Sequence, residues 1–101
     1  MKLQEYINHV NPEIFKEAKT YIKSKDFMSL KDFGEYYEAF VVYEDNVLFP
    51  EVILDQNHEV QKYSCNCRNK NTLCVHIAAM FLGIEKMLQN HCFDYHEAVK
   101  N

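Results

Sequence analysis

Hydrophobic residues in the first quarter of the chain recur every three or four positions, which is the spacing of one helix face. In the first predicted helix they are Leu3, Tyr6, Ile7 and Val10. The triplet Asn11-Pro12-Glu13 predicts a boundary, because asparagine caps helices, proline is tolerated at the first helical position and glutamate favours the positive end of the helix dipole. A second helix is expected to follow, with the apolar stripe Ile14, Phe15, Ala18, Tyr21 and Ile22.

The hydrophobic period changes from helical to alternating at Glu35. Residues 36–43 alternate and are rich in β-branched and aromatic side chains, so they predict a strand. The turn-forming pair Asp45-Asn46 leads to a second predicted strand over residues 47–54, and a polar turn leads to a third over residues 60–64. The pattern therefore predicts a three-stranded antiparallel sheet.

Two places in this region have a less regular pattern. Pro50 cannot donate to a sheet ladder, so the second strand is expected to lie at an edge or to carry a bulge there. Residues 27–33, between the second helix and the first predicted strand, have a pattern that assigns no secondary structure, although their aromatic side chains are expected in the core.

The last long element is a helix predicted over residues 75–88, which is apolar around most of its circumference for two turns. Such a helix must be buried on more than one side, so it is expected to pack between the sheet and the N-terminal helices. The tail, residues 91–101, is expected to dock as one or two helical turns. The fold class predicted is α+β, as a single domain over residues 1–101.

Composition agrees with one small globular domain that needs extra stabilisation. The chain has 101 residues, 48% hydrophobic, with two glycines and two prolines, and a domain this small has a marginal core. Its longest apolar run, residues 77–84, is too short to cross a membrane, and no signal peptide is visible, so the cytoplasm is the expected location. In a reducing cytosol the four cysteines predict metal binding or burial rather than disulfides.

Charge is distributed unevenly along the chain. The net charge is −4, and residues 35–60 contain seven acidic residues and no lysine or arginine. Such a segment repels phosphates, so it argues against DNA or RNA as the main partner. Its simplest explanation is a solvated outer face of the sheet.

Four residues form the only local cluster of soft metal ligands: Cys65, Cys67, Cys74 and His76. Three sulfurs and one imidazole suit tetrahedral zinc, and four protein ligands leave no open position, which indicates a structural ion. Two alternatives are buried, unligated cysteines and a nucleophilic Cys74–His76 pair, but no oxyanion hole or orienting acid accompanies that pair. Cys92 is expected to be a spare thiol about 20 Å away along the helix.

The arrangement CxC, six residues, then CxH, after a sheet and before an apolar helix, resembles the SWIM zinc finger. The upstream helix and strand are similar to the N-terminal SWIM region of bacterial Snf-type helicase-like ATPases, over about residues 13–88. The resemblance implies zinc on Cys65, Cys67, Cys74 and His76, and contacts with protein or DNA in larger assemblies. Arg68 replaces the family's frequent proline, and Val75 replaces a frequent basic residue, which removes a phosphate contact.

The favoured function is therefore a structural zinc module that makes protein–protein contacts, as part or partner of a Snf-type ATPase. The alternative is a nucleic-acid-binding finger that uses Lys62, Tyr63, Arg68 and Lys70, with the tyrosine stacking on a base. No catalytic set is recognisable, so no enzymatic activity, small-molecule substrate or membrane partner is expected.

Overall fold

The computed structural model describes residues 1–67 and 73–100. Its helices are α1 (Leu3–His9), α2 (Pro12–Tyr21), α3 (Val75–Gln89) and α4 (Tyr95–Ala98). Its strands are β1 (Phe27–Asp32), β2 (Tyr36–Tyr43), β3 (Asn46–Leu48), β4 (Glu51–Leu54) and β5 (Val60–Ser64). The α+β class is confirmed, and helices precede and follow one antiparallel sheet as predicted.

The N-terminal helices begin where the sequence predicts. Asn11 is the N-cap of α2, and its side-chain oxygen accepts a hydrogen bond of 2.8 Å from the Glu13 amide. Pro12 is the first helical residue, where its missing amide proton costs nothing. Local cap chemistry therefore sets the boundary between α1 and α2.

The prediction of three strands was wrong, because the sheet has five within residues 1–67 and 73–100. The order is β1-β2-β4-β5, and β3 also pairs with β2. The unassigned segment forms β1, whose buried residues Phe27 and Leu30 lie three apart because the register with β2 shifts between Phe27 and Ser29. That irregularity hides the alternation by which a strand is normally recognised.

Pro50 accounts for the other additional strand. It divides the predicted second strand into β3 and β4, both of which pair with β2. β4 lies between β2 and β5, so it is not an edge strand, and the ladder is interrupted at the proline instead. The Pro50 carbonyl still accepts a 3.0 Å hydrogen bond from the Ala39 amide, which keeps the chain beside β2.

α3 is the central element of the core. It packs against α1, α2 and α4 and also contacts β1, β2 and β4, so it lies between the sheet and the other helices as predicted. The helix begins at the Cys/His motif, with Cys74 as its N-cap. The start of α3 lies close to the end of β5, because Nδ1 of His76 is 3.7 Å from the sulfur of Cys65.

The two strands at the ends of the sheet order, β1 and β5, each lie beside a segment that is distant in the chain. Lys2 forms an isolated antiparallel bridge with Glu59, just before β5, and Lys31 of β1 forms one with Asp94. The Val60 amide donates to the Met1 carbonyl at 2.8 Å, and the Asp32 amide donates to the Phe93 carbonyl at 2.9 Å. Residues 1–2 and 93–94 thus cover parts of the two sheet edges.

Candidate metal centre

Two segments bring the four predicted ligands together. Cys65 directly follows β5, and Cys67 lies two residues further along. Cys74 is the N-cap of α3, and His76 is the second residue of that helix. One ligand atom from each of the four residues lies within 4.8 Å of the others, so the group can hold one metal ion.

The separation of one ligand pair matches that of a tetrahedral ion. His76 Nδ1 lies 3.7 Å from Cys65 Sγ. Metal–sulfur bonds of about 2.3 Å and metal–nitrogen bonds of about 2.0–2.1 Å place tetrahedral sulfur and nitrogen ligands about 3.6 Å apart. The imidazole therefore already presents Nδ1 at the separation that a shared ion requires.

His76 is held by aromatic packing. Its ring lies edge-on to Tyr43, with centroids 4.5 Å apart, and edge-on to Tyr21 at 5.6 Å. The Tyr21 hydroxyl donates a 2.7 Å hydrogen bond to the Val42 carbonyl, which fixes that ring in turn. His76 is 2% exposed, and its Nε2 has no hydrogen-bond partner in the described part of the chain. Ring packing thus orients His76. In most metal-binding histidines, by contrast, the ring is oriented by a hydrogen bond from the nitrogen that does not bind the metal.

The thiols of Cys65 and Cys74 have pKa values shifted in opposite directions. A hydrogen bond from the Cys65 thiol lowers the pKa of Cys74, and the neighbouring His76 lowers it further. The same hydrogen bond, together with burial, raises the pKa of Cys65. Adjacent buried sulfurs cannot all become thiolates without a cation between them, and a divalent ion supplies that charge.

Burial limits what the site can do chemically. Cys74 is 3% exposed, so its sulfur is not accessible to a substrate, while Cys65 and Cys67 are half-buried. All four residues point at one another, so an ion bound by them joins the end of β5 to the start of α3. This arrangement can stabilise a fold by connecting two segments.

Cys92 lies apart from this group, as predicted. It follows the end of α3, and its thiol donates a 3.4 Å hydrogen bond to the Asn90 carbonyl. It is not among the residues whose ligand atoms converge, within the ranges that the structure describes.

The residues proposed for nucleic-acid contact are placed less favourably. Lys62 and Tyr63 are neighbours in β5, so their side chains leave opposite faces of the strand. The Tyr63 ring lies 5.9 Å from both Tyr6 and Phe81 and packs on their edges rather than standing free. Arg68 and Lys70 lie outside the described residues. Nucleic-acid contact by these four residues stays a prediction.

Sequence reasoning missed the surroundings of the metal group. Tyr21 and Tyr43 were expected in the core or sheet, and neither was linked to His76. The structure also shows a cavity of about 490 Å³ beside the site, bordered by Cys67, His76 and Tyr43 and by the carboxylates of Glu17 and Glu44. No sequence motif marks either feature, because the residues come from α2, β2 and the metal-binding segments together.

Comparison with known protein families, curated proteins and solved structures finds no match for this chain. The resemblance to SWIM domains therefore rests on the ligand spacing in the sequence alone and stays a prediction. None of the helices in the described ranges is both long and apolar enough to span a membrane.

Proposed function

We propose that this protein is a structural zinc-binding module of the SWIM type that makes protein–protein contacts. The observation that carries the proposal is the convergence of three sulfurs and one imidazole within 4.8 Å. This donor set of three sulfurs and one nitrogen favours zinc over metals that prefer oxygen ligands or planar geometry. The burial of Cys74 and His76 favours a structural role for the ion.

The sheet offers a surface for the protein contact. Tyr37, Ala39 and Val41 of β2 are buried, so the residues that alternate with them face away from the core. That outer face carries Phe40, whose ring packs on Phe49 with centroids 5.2 Å apart, and Phe49 is 47% exposed. An exposed phenylalanine packed on a half-buried one suits a protein partner better than a phosphate backbone.

Charge on the same face also supports a protein partner. Glu38 of β2 lies directly opposite Glu51 of β4. The Tyr36 hydroxyl donates to Glu51 at 2.7 Å and lies 2.9 Å from a Glu38 oxygen. Two carboxylates held side by side repel phosphates and attract a basic protein surface. Following the SWIM resemblance, we propose that the partner is a Snf-type helicase-like ATPase, or the rest of one.

The metal part of the proposal is tested on purified protein. We expect about one zinc ion per chain by elemental analysis. Replacement by cobalt should give the visible absorption of a tetrahedral site with thiolate ligands. A chain that contains no bound metal, or a cobalt spectrum of octahedral type, would contradict the zinc assignment.

The partner is tested by binding to a Snf-type ATPase core and to duplex DNA in parallel. We expect complex formation with the ATPase core that Phe49→Asp weakens at least tenfold. Phe93→Asp is the matched control, because Phe93 is also exposed but lies in the segment between α3 and α4 and is not part of the Phe40–Phe49 pair. Nanomolar DNA binding that weakens steeply with salt, and weakens further in Lys62→Ala, would favour the nucleic-acid alternative.

A further inference from the structure

A second surface of the protein, which we call the lysine groove, lies on the helical side. It has a volume of about 300 Å³ and is formed by the end of α2, the second half of α3, and α4. Its lining residues are Lys19, Ile22, Lys23, Leu82, Lys86, Tyr95 and Val99. Lys86 follows His76 by ten residues along α3, so the groove lies about 15 Å from the metal group at 1.5 Å per residue.

The floor of the lysine groove is apolar. Ile22 and Tyr95 are buried beneath it, Leu82 is half-buried, and Val99 is 44% exposed. The partly exposed side chains of Leu82 and Val99 offer apolar surface to a ligand in the groove. The floor therefore favours a ligand with hydrophobic side chains.

The rim of the lysine groove is basic. Lys23 and Lys86 are exposed and form no ion pair with any residue in the described ranges, and Lys19 lies over the Phe15 ring at 5.2 Å. No aspartate or glutamate is among the lining residues. A basic rim on a chain of net charge −4 is a local reversal of sign, and it attracts carboxylates.

We propose that the lysine groove binds an acidic amphipathic helix of a partner protein. Apolar residues on one face of that helix would fill the floor, and carboxylates beside them would pair with the three lysines. A nucleic-acid backbone matches the rim but leaves the apolar floor unfilled, so a peptide is the better occupant. The inference rests on the proposed function as a protein-interaction module and adds a second contact surface to the outer sheet face.

The test is a selection from a displayed library of random 16-residue peptides on the zinc-loaded protein. We expect enriched peptides to carry aspartate or glutamate together with apolar residues at helical spacing. A synthetic copy of the most enriched peptide, measured by fluorescence anisotropy, should bind Lys23→Glu/Lys86→Glu at least tenfold more weakly. The matched control is Lys31→Glu/Lys62→Glu, which makes the same charge change on exposed sheet residues and should bind within twofold of the original protein.

Each other outcome has a defined meaning. Peptides that bind both double variants equally overturn the lysine groove while leaving the interaction function in place. A library that enriches no peptide argues against both the lysine groove as a binding site and the proposed protein-interaction function. Duplex DNA that displaces the peptide and binds more tightly through Lys23 and Lys86 overturns the proposal in favour of nucleic acid. Self-association that is lost only in Lys23→Glu/Lys86→Glu overturns it in favour of a second copy of this chain.

Discussion

Replacement of one metal ligand should unfold the protein, whereas replacement of the spare cysteine should not. The sharpest comparison is Cys65→Ser against Cys92→Ser, because both thiols are half-buried and only Cys65 belongs to the converging group. The same atom is lost in each variant, so packing and side-chain size are matched. What differs is the connection between the end of β5 and the start of α3.

The expected magnitude follows from the size of the domain. Folding free energies of about 0.05–0.15 kcal/mol per residue give a chain of this length about 5–15 kcal/mol in total. Zinc binding in small Cys/His modules contributes about 10–16 kcal/mol apparent at neutral pH, which is as large as that total. Loss of the ion thus removes most or all of the net stability. Cys92→Ser alters one weak hydrogen bond, with an expected cost of about 1 kcal/mol.

Circular dichroism with thermal melting, combined with elemental analysis, measures the difference. We expect Cys65→Ser to contain little metal and to show no cooperative transition. Cys92→Ser should keep about one ion per chain and melt about 4–8 °C below the original protein, the shift expected for 1 kcal/mol. If Cys65→Ser melts as Cys92→Ser does, or if the original protein melts unchanged after chelation, the ion does not hold this fold together.

Three further changes test other parts of the structure. Gly83→Ala should destabilise the protein by up to about 2 kcal/mol in chemical denaturation. A Cβ there would lie 2.6 Å from Leu30 Cδ2, and an overpacking cost of about 1–3 kcal/mol is offset only in part by a gain of about 1 kcal/mol in helix propensity. Asn11→Ala should cost about 1 kcal/mol by removing the cap of α2, whereas Asn11→Asp should be nearly neutral. Burial raises the pKa of Tyr37 from its ordinary value of 10.0 to about 12 in the folded protein. The stability contributed by the neutral Tyr37 hydroxyl is therefore fully present below pH 10 and is lost as the pH rises from 10 to 12. Denaturation midpoints should therefore fall across that interval, and less so in Tyr37→Phe; equal falls would assign the loss to other groups.

Features of this fold that depend on neighbouring residues were predictable, whereas of those that depend on distant residues only the position of α3 between the sheet and the other helices was. The α2 cap and the CxC and CxH pairs are local, so their chemistry is visible in the sequence. β1 was not assigned because a register shift spaces Phe27 and Leu30 like helix residues. Pro50 indicated an edge strand or a bulge, but the chain keeps one register with β2 on both sides of the proline, and only that pairing reveals that two strands result.

The candidate site shows the same division. The ligands lie within twelve residues of one another and could be recognised by their spacing. Tyr21 and Tyr43 orient His76 from α2 and β2, and no spacing rule connects residues that far apart in the chain. The lysine groove was missed for a related reason, since Lys23 and Lys86 become neighbours of one surface only when α2 packs on α3.

The bridges at the two sides of the sheet bear on how the protein behaves when it is cut or fused. Unpaired strand edges recruit other strands, and aggregation follows. Here the residues around Lys2 and Asp94 pair with part of each edge. These two segments therefore block the edges from pairing with strands of other molecules. Trimming either segment would expose backbone donors and acceptors that another molecule can use. Shortened forms are therefore expected to self-associate even when the metal group is intact, and light scattering after removal of residues 1–2 would reveal it.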